Sequence, residues 1–229
     1  MTEFRFSPTS LSLFSNCPRC FWLQMNKGIK RPRGIFPTLP SGMDAVIKKY
    51  FDRYRLKGKL PPELEGKIKG KLFDDMNKLE RWRNWRINDL HYEDKALNAT
   101  LIGALDDCLV DGKFFIPLDY KTKGSQVKED PAKYYQNQLD CYCLMLESSG
   151  YKTKNEAVIV YYSPLEVAED GAVKFNVAPF KIDTNPESAK SVIKRAVVLL
   201  AGPLPERNSD CEYCTLINEA QTYVTLRVP

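Results

Sequence analysis

Gly103-Ala104-Leu105-Asp106, then Asp119-Tyr120-Lys121-Thr122-Lys123-Gly124, then Gln138-Leu139-Asp140-Cys141-Tyr142 form the stretch on which the reading of this chain turns. The first two segments flank Asp111-Gly112, with apolar residues on both sides. Apolar runs meeting at Asp-Gly read as two strands, Leu97 to Val110 and Phe114 to Tyr120, joined by a tight hairpin turn. With Asp111-Gly112 as the two turn residues, Asp106 faces Pro117 and Asp119 lies two residues further along. Side chains alternate along a strand with a period of two, so Asp106, Asp119 and Lys121 share one face. The two aspartates are then diagonal neighbours, with alpha carbons ~7–8 Å apart, close enough to share a cation. Pro117 cannot donate to the ladder. A bulge there, or a three-residue loop, would move Asp106 to the opposite face.

Working outward, Pro131 to Ser148 reads as an amphipathic helix that sets Gln138 and Tyr142 four residues apart on one face. Val158 to Tyr162 and Val173 to Ile182 read as further strands, with a turn at Asp170-Gly171. Asn185-Pro186-Glu187 opens a last helix to about Ala201, stopped by Pro203 and Pro205. Before the hairpin, Ser7-Pro8-Thr9-Ser10 is a helix start, and Pro32 to Pro40 is a loop. Ser41 caps a helix to about Leu56, with Ile47, Tyr50, Phe51 and Tyr54 at helical spacing. A second long helix is expected over Glu63 to Arg86, with Leu64, Ile68, Leu72, Leu79 and Trp82 as its apolar stripe. Helices, strands, a helix, strands and a helix make an α/β or α+β layered domain.

The chain has 229 residues, enough for one domain with a modest helical addition. Its charge of +5, from 34 basic and 29 acidic side chains, permits binding to a phosphate backbone without demanding it. The basic residues crowd the first two fifths of the chain, as in Lys27 to Arg33, Lys48 to Lys59 and Arg81 to Arg86. The start lacks a basic-then-apolar leader, and no stretch approaches the ~20 apolar residues of a membrane span. A cytoplasmic protein with reduced thiols is therefore expected, and no membrane partner.

Two carboxylates and a lysine on one face suit phosphodiester hydrolysis. That reaction needs a hydroxide-like nucleophile and stabilisation of charge on the phosphate oxygens. A hard cation held by carboxylates serves both needs, and a lysine can orient the attacking water. A plainer alternative makes Asp119 and Lys121 alternating surface residues. Against it, Phe114-Phe115-Ile116-Pro117-Leu118 is apolar, which suits a buried strand whose end carries polar groups.

In order and spacing, Gly-x-Leu-Asp106, Asp119-Tyr-Lys121-Thr-Lys-Gly124 and Gln138-x-x-x-Tyr142 resemble the motifs of RecB-like PD-(D/E)XK nucleases. The resemblance spans roughly Leu101 to Tyr142. It implies a restriction-endonuclease-like core with a mixed β-sheet flanked by helices, plus an N-terminal helical addition. A single domain over 1–229 then divides into a helical insertion (21–96), a catalytic core (97–200) and two cysteine-bearing ends (1–20 and 203–229). The implied activity is a Mg²⁺- or Mn²⁺-dependent deoxyribonuclease, an exonuclease on single-stranded DNA. Asp106, Asp119 and the carbonyl of Tyr120 would bind metal, with Lys121 as catalytic lysine and Gln138 and Tyr142 near the site. Many such relatives carry a metal-binding histidine on the preceding helix. The single histidine here, His91, lies outside it and reads as a surface residue, so Asp44 in Gly42-Met43-Asp44 is the candidate replacement. An acid there is also favoured simply by the first turn of its helix. The missing histidine supports an alternative: a non-catalytic nucleic-acid-binding subunit of a recombination or CRISPR adaptation complex. A repair role fits the same motifs.

Cys17-Pro-Arg-Cys20 and Cys211-Glu-Tyr-Cys214 are two C-x₂-C pairs at opposite ends of the chain. In a reducing compartment they argue for one shared four-cysteine site that ties the ends together. CRISPR-associated and AddB-type exonucleases, which the chain resembles here, carry a [4Fe–4S] cluster in such a site. They use one early and three late cysteines, whereas this chain has two and two, which leaves Zn²⁺ as an alternative. Cys108, Cys141 and Cys143 have apolar neighbours and read as core. Finally, Arg81-Trp82-Arg83-Asn84-Trp85-Arg86 combines arginine with stackable indoles, a pattern suited to single-stranded nucleic acid. Lys123 is grouped with Arg81, Trp82, Arg83 and Trp85 as a nucleic-acid contact, although Trp82 also continues its helix's apolar stripe.

Overall fold

Asp111-Gly112 does make a hairpin, with its turn one residue later than expected. In the computed structural model Asp111 pairs with Phe114 and Asp107 with Leu118, so Gly112-Lys113 form the turn. Gly112 has φ 60°, the left-handed conformation a two-residue hairpin turn of type II′ requires at its first position. The ladder runs past Pro117 without a bulge. Carried one pair further, this register sets Asp106 directly opposite Asp119. A shift of two residues keeps the parity, so the same-face expectation stands.

The structure describes residues 3–32, 34, 38–127 and 132–225. In chain order the elements are β1 (Phe4–Phe6), α1 (Pro8–Asn16), α2 (Pro18–Lys27), α3 (Thr38–Arg55), β2 (Lys71–Leu72), α4 (Met76–Trp82), β3 (His91–Asp94) and β4 (Ala99–Ile102). Then follow β5 (Asp107–Asp111), β6 (Phe114–Thr122), α5 (Gln136–Ser148), β7 (Glu156–Val167), β8 (Val173–Asp183), α6 (Pro186–Ala201) and α7 (Glu212–Thr225). The helix starts follow local chemistry. Ser7 and Ser10 form a reciprocal capping box on α1, Asp75 caps α4, and Asn185 caps α6 with Pro186 in its first turn.

The main sheet has the order β2-β5-β6-β7-β8, with β6 and β7 parallel and its other pairs antiparallel. Parallel neighbours need a crossover, and α5 supplies it. A smaller sheet, β1-β4-β3, joins the N-terminal strand to the hairpin of β3 and β4. Alternation divides the main sheet's side chains between two cores. Ile116, Leu118 and Tyr120 of β6 pack with Ile47 and Phe51 of α3. On the opposite face Cys108 of β5 and Ile159 of β7 pack with Leu139 and Tyr142 of α5 and Ile193 of α6. This is the expected α/β architecture, a mixed sheet flanked by helices.

Two expectations fail for physical reasons. Leu97 to Val110 is two strands in different sheets, not one, broken at Gly103 to Asp106. Gly103 sits where an added Cβ would lie 2.8 Å from Met145 Cε, so the break packs closely on α5. The long helix over Glu63 to Arg86 does not form either. Gly66 and Gly70 take φ of 72° and 94°, which ends a helix, and a Cβ on Gly70 would lie 2.8 Å from the Val110 carbonyl oxygen. The supposed stripe is shared between cores as the chain rounds the sheet edge at β2. Leu64, Ile68 and Leu72 join the α3 side, while Leu79 and Trp82 join the α5 side. Pro131, the expected start of the crossover helix, lies outside the described residues. β1, α2 and α7 carried signals too short or too mixed to be read from sequence.

Trp82 is 2% exposed and stacks on Phe73 with ring centroids 4.8 Å apart, whereas Trp85 is 53% exposed. Trp82→Ala is expected to cost ~3–5 kcal/mol in urea denaturation. Trp85→Ala is expected to change stability by no more than ~0.5 kcal/mol. Equal losses for the two variants would contradict this placement.

Candidate functional site

Asp119 lies near the end of β6, on the face that α5 covers. Its carboxylate is fully buried, and among the described residues neither oxygen has a hydrogen-bond partner apart from the Lys121 ammonium. The Lys121 ammonium, two residues on and so on the same face, stands 2.5 Å from Asp119 Oδ2 as an ion pair. Lys121 also lies over the Tyr135 ring, 4.6 Å from its centroid, at the start of α5. Burial is the largest influence on the Asp119 carboxyl. It is opposed by the Lys121 charge and reinforced by the neighbouring Asp106, leaving the group pushed up to about 7. Asp106 itself follows the Gly103 break and precedes β5, with its side chain partly open to solvent.

Lys48 is a member of this group that the sequence did not reveal. Its ammonium is 2.7 Å from Asp106 and 2.8 Å from Asp44, one turn earlier on α3. Burial works against its charge, but Asp106 and Asp44 together hold its pKa above the ordinary value. Asp44 therefore reaches Asp106 through Lys48. Among the described residues no group of three or more acids, histidines or thiols gathers around the acid pair. Gln138 and Tyr142 do share a helical face, as spacing implied, and the Gln138 amide donates to the Tyr142 hydroxyl at 2.6 Å. Burial, then the charges of Asp119 and Asp106, hold the Tyr142 phenol well above its usual pKa, which places it beside both carboxylates. The buried, unsatisfied Asp119 oxygens next to a second carboxylate fit a hard divalent cation, which would supply the partners they lack.

The residue after Asp106 points the other way. Asp107 is fully buried and accepts from Arg55 Nη2 (2.5 Å), Arg83 Nη2 (3.3 Å), the Tyr120 hydroxyl (2.6 Å) and the Cys108 N–H (2.7 Å). Arg83 also donates to Asp52 and to the backbone carbonyl of Asp106. The expectation that Trp82 and Arg83 contact nucleic acid is therefore corrected: one is core and the other is committed to a buried ion network. Arg81 is surface-exposed and paired with Asp89 in two contacts of 2.6 Å. Trp85 is exposed under the Arg86 guanidinium, and Lys123 is exposed beyond β6. His91 is an exposed residue at the start of β3, consistent with a surface position. The side chain of Tyr120 faces Asp107. From Asp119 onward its strand has no β5 partner, which leaves backbone groups on that side of β6 outside the ladder.

Two clefts are lined by neighbours of the acid pair, though by neither aspartate itself. One, of about 610 Å³, is lined by Arg5, Ser7, Trp85, Ala104, Gln138 and Tyr142. A smaller one, of about 230 Å³, is lined by Asp44, Ile47, Lys121 and Tyr135. Far along the sequence from both, Cys17, Cys20, Cys211 and Cys214 are buried together, all four sulfurs lying within 4.8 Å of one another. Cys108, Cys141 and Cys143 are buried in the core, as expected. Among the described residues no helix is long and apolar enough to cross a membrane.

Residues 40–218 match the family model of the PD-(D/E)XK nuclease superfamily, whose members are metal-dependent nucleases. A solved structure described as "Crystal structure of SSO0001" aligns with 95% of this chain and 86% of its own, at 15% identity and a TM-score of 0.42. No curated protein matches the chain.

The raised Asp119 pKa has a consequence for stability without divalent metal. A carboxyl near 3.9 when unfolded and at about 7 when folded binds more protons in the native state between those values. Stability is thus expected to fall as pH rises from about 4 to about 7. Asp119→Asn should flatten that fall in urea denaturation. An unchanged slope would show that Asp119 is not the strained group.

Proposed function

The chain belongs to the PD-(D/E)XK nuclease superfamily, and on that premise we propose that it is a divalent-metal-dependent deoxyribonuclease, an exonuclease acting on single-stranded DNA. One observation carries the reading: a fully buried Asp119 carboxylate, paired with the Lys121 ammonium alone, stands beside Asp106. Asp106 and Asp119 would hold Mg²⁺ or Mn²⁺, with the Tyr120 carbonyl as a further ligand. When bound there, such an ion supplies a more acidic water and neutralises charge on the phosphate. Lys121 is placed to orient the attacking water and to offset negative charge on the phosphate oxygens in the transition state. Tyr142, held by the Gln138 amide, would close the α5 side of the pair. Asp44 can join the metal ligands only if Lys48 swings aside, so in this reading the pair acts as an adjustable outer contact.

Several features support a single strand as substrate. The larger cleft carries Arg5 for a phosphate and the exposed Trp85 as a stacking surface for a base. Lys123 and Arg81 would extend the basic track. Residues 97–200 are the catalytic core of one domain in this reading, supported by 21–96 and closed by the cysteine-bearing ends. The motif order resembling RecB-like and CRISPR-associated exonucleases supports a place beside recombination or CRISPR adaptation proteins.

End-labelled and circular single-stranded DNA, with duplex controls, tests the proposal in Mg²⁺ or Mn²⁺. The wild type is expected to degrade linear single strands from an end and spare circles, and Lys121→Ala to be at least ~10²-fold slower. Binding without cleavage by both proteins would replace the enzyme reading with that of a binding subunit.

A further inference from the structure

The resemblance that points to an iron–sulfur cluster makes a geometric demand on the four cysteines. In a cubane each thiolate binds a different iron at alternate corners of the cube, so the sulfurs stand roughly 6 Å apart around the bulky core. Here Cys17 and Cys214 sulfurs are 3.7 Å apart, Cys20 and Cys211 3.7 Å, and Cys20 and Cys214 4.0 Å. A single tetrahedral ion with Zn–S bonds of ≈ 2.3 Å requires sulfurs about 3.8 Å apart. The cage fits one ion and is too small for four irons and four sulfides.

Its surroundings hold it at that size. All four side chains are buried, and Leu13 and Tyr213 pack against them. The Cys17 sulfur caps α2 by accepting the Cys20 N–H at 3.4 Å, and Arg31 donates to Cys211 at 3.2 Å. The Arg31 guanidinium is itself fixed over the Tyr213 ring, 4.7 Å from its centroid. Opening the sulfurs to cubane spacing would break these contacts. The charge also suits one ion. Four thiolates around a divalent cation leave a net charge of −2, which Arg31 and the N-terminal ends of α2 and α7 partly neutralise.

We propose that Cys17, Cys20, Cys211 and Cys214 bind a single zinc ion, which clamps the α1–α2 junction to α7. Zinc is preferred to a lone ferrous ion because thiolate sites bind Zn²⁺ more tightly than Fe²⁺. No ligand of this site belongs to the acid pair, so the proposal stands or falls separately from the nuclease reading.

The test is the metal and sulfide content of the full chain, purified without oxygen from medium supplied with both iron and zinc. The Asp106→Asn/Asp119→Asn double variant is measured in parallel to exclude zinc held at the acid pair. About one zinc per chain in both proteins is expected, with no acid-labile sulfide and no brown colour. Replacing zinc by Co²⁺ should give the absorption of tetrahedral cobalt thiolate. Iron would overturn the proposal, whether about four per chain with sulfide or one without. So would zinc that disappears in the double variant, or no metal at all. These readings use intact wild-type cysteines, so they do not depend on a cysteine variant folding.

Discussion

The arrangement depends on one buried charge. Asp107 has no contact with water, so its carboxylate is tolerable only with full compensation, and Arg55, Arg83, the Tyr120 hydroxyl and a backbone N–H supply it. These partners come from α3, from the end of α4 and from β6. One carboxylate therefore ties the helix on one face to the hairpin beneath it. It also sets a direction. Because side chains alternate, holding Asp107 on the α3 face commits the strand's other set, with Asp119 and Lys121 of β6, to the α5 face. Arg83 reinforces the join by holding the carbonyl of Asp106 itself.

Against that fixed frame Asp119 is left unsatisfied by design of the fold. Among the described residues the other buried acids have partners: Asp107 has its arginines, and Asp140 accepts from Gln136 and the Asn185 N–H. Asp119 has only the ammonium of Lys121 and a like-charged neighbour. A folded protein rarely leaves a buried carboxylate so unless something else completes it. A divalent ion held as proposed would supply the missing partners. In the same way Lys48 and Lys121 place positive charge beside the acid pair, which lowers the repulsion between the two carboxylates.

The hairpin was legible because Asp-Gly between apolar runs is a local signal. Even a misjudged turn position left the parity, and so the shared face, intact. The four-cysteine site was legible for a similar reason: thiols at C-x₂-C spacing have few other uses. What could not be read was tertiary. The apolar residues from Leu64 to Trp82 fit a helical period, yet they serve two cores, and only the positive φ of Gly66 and Gly70 reveals the bend. Trp82 and Trp85 look alike in sequence but end in opposite environments, because the chain turns just after α4. Lys48 is one of two adjacent lysines on α3, and nothing local marks it as the one that meets Asp106. The Asp107 network joins residues more than fifty positions apart, beyond any spacing rule.

The central claim is that Asp106 and Asp119 converge on a divalent ion. Anomalous diffraction from crystals soaked in Mn²⁺ tests it most directly. The account predicts one strong manganese peak coordinated by both carboxylates, with Lys121 turned from Asp119 towards the solvent side of the ion. A peak elsewhere, or none, with Asp119 still without a partner, would contradict it.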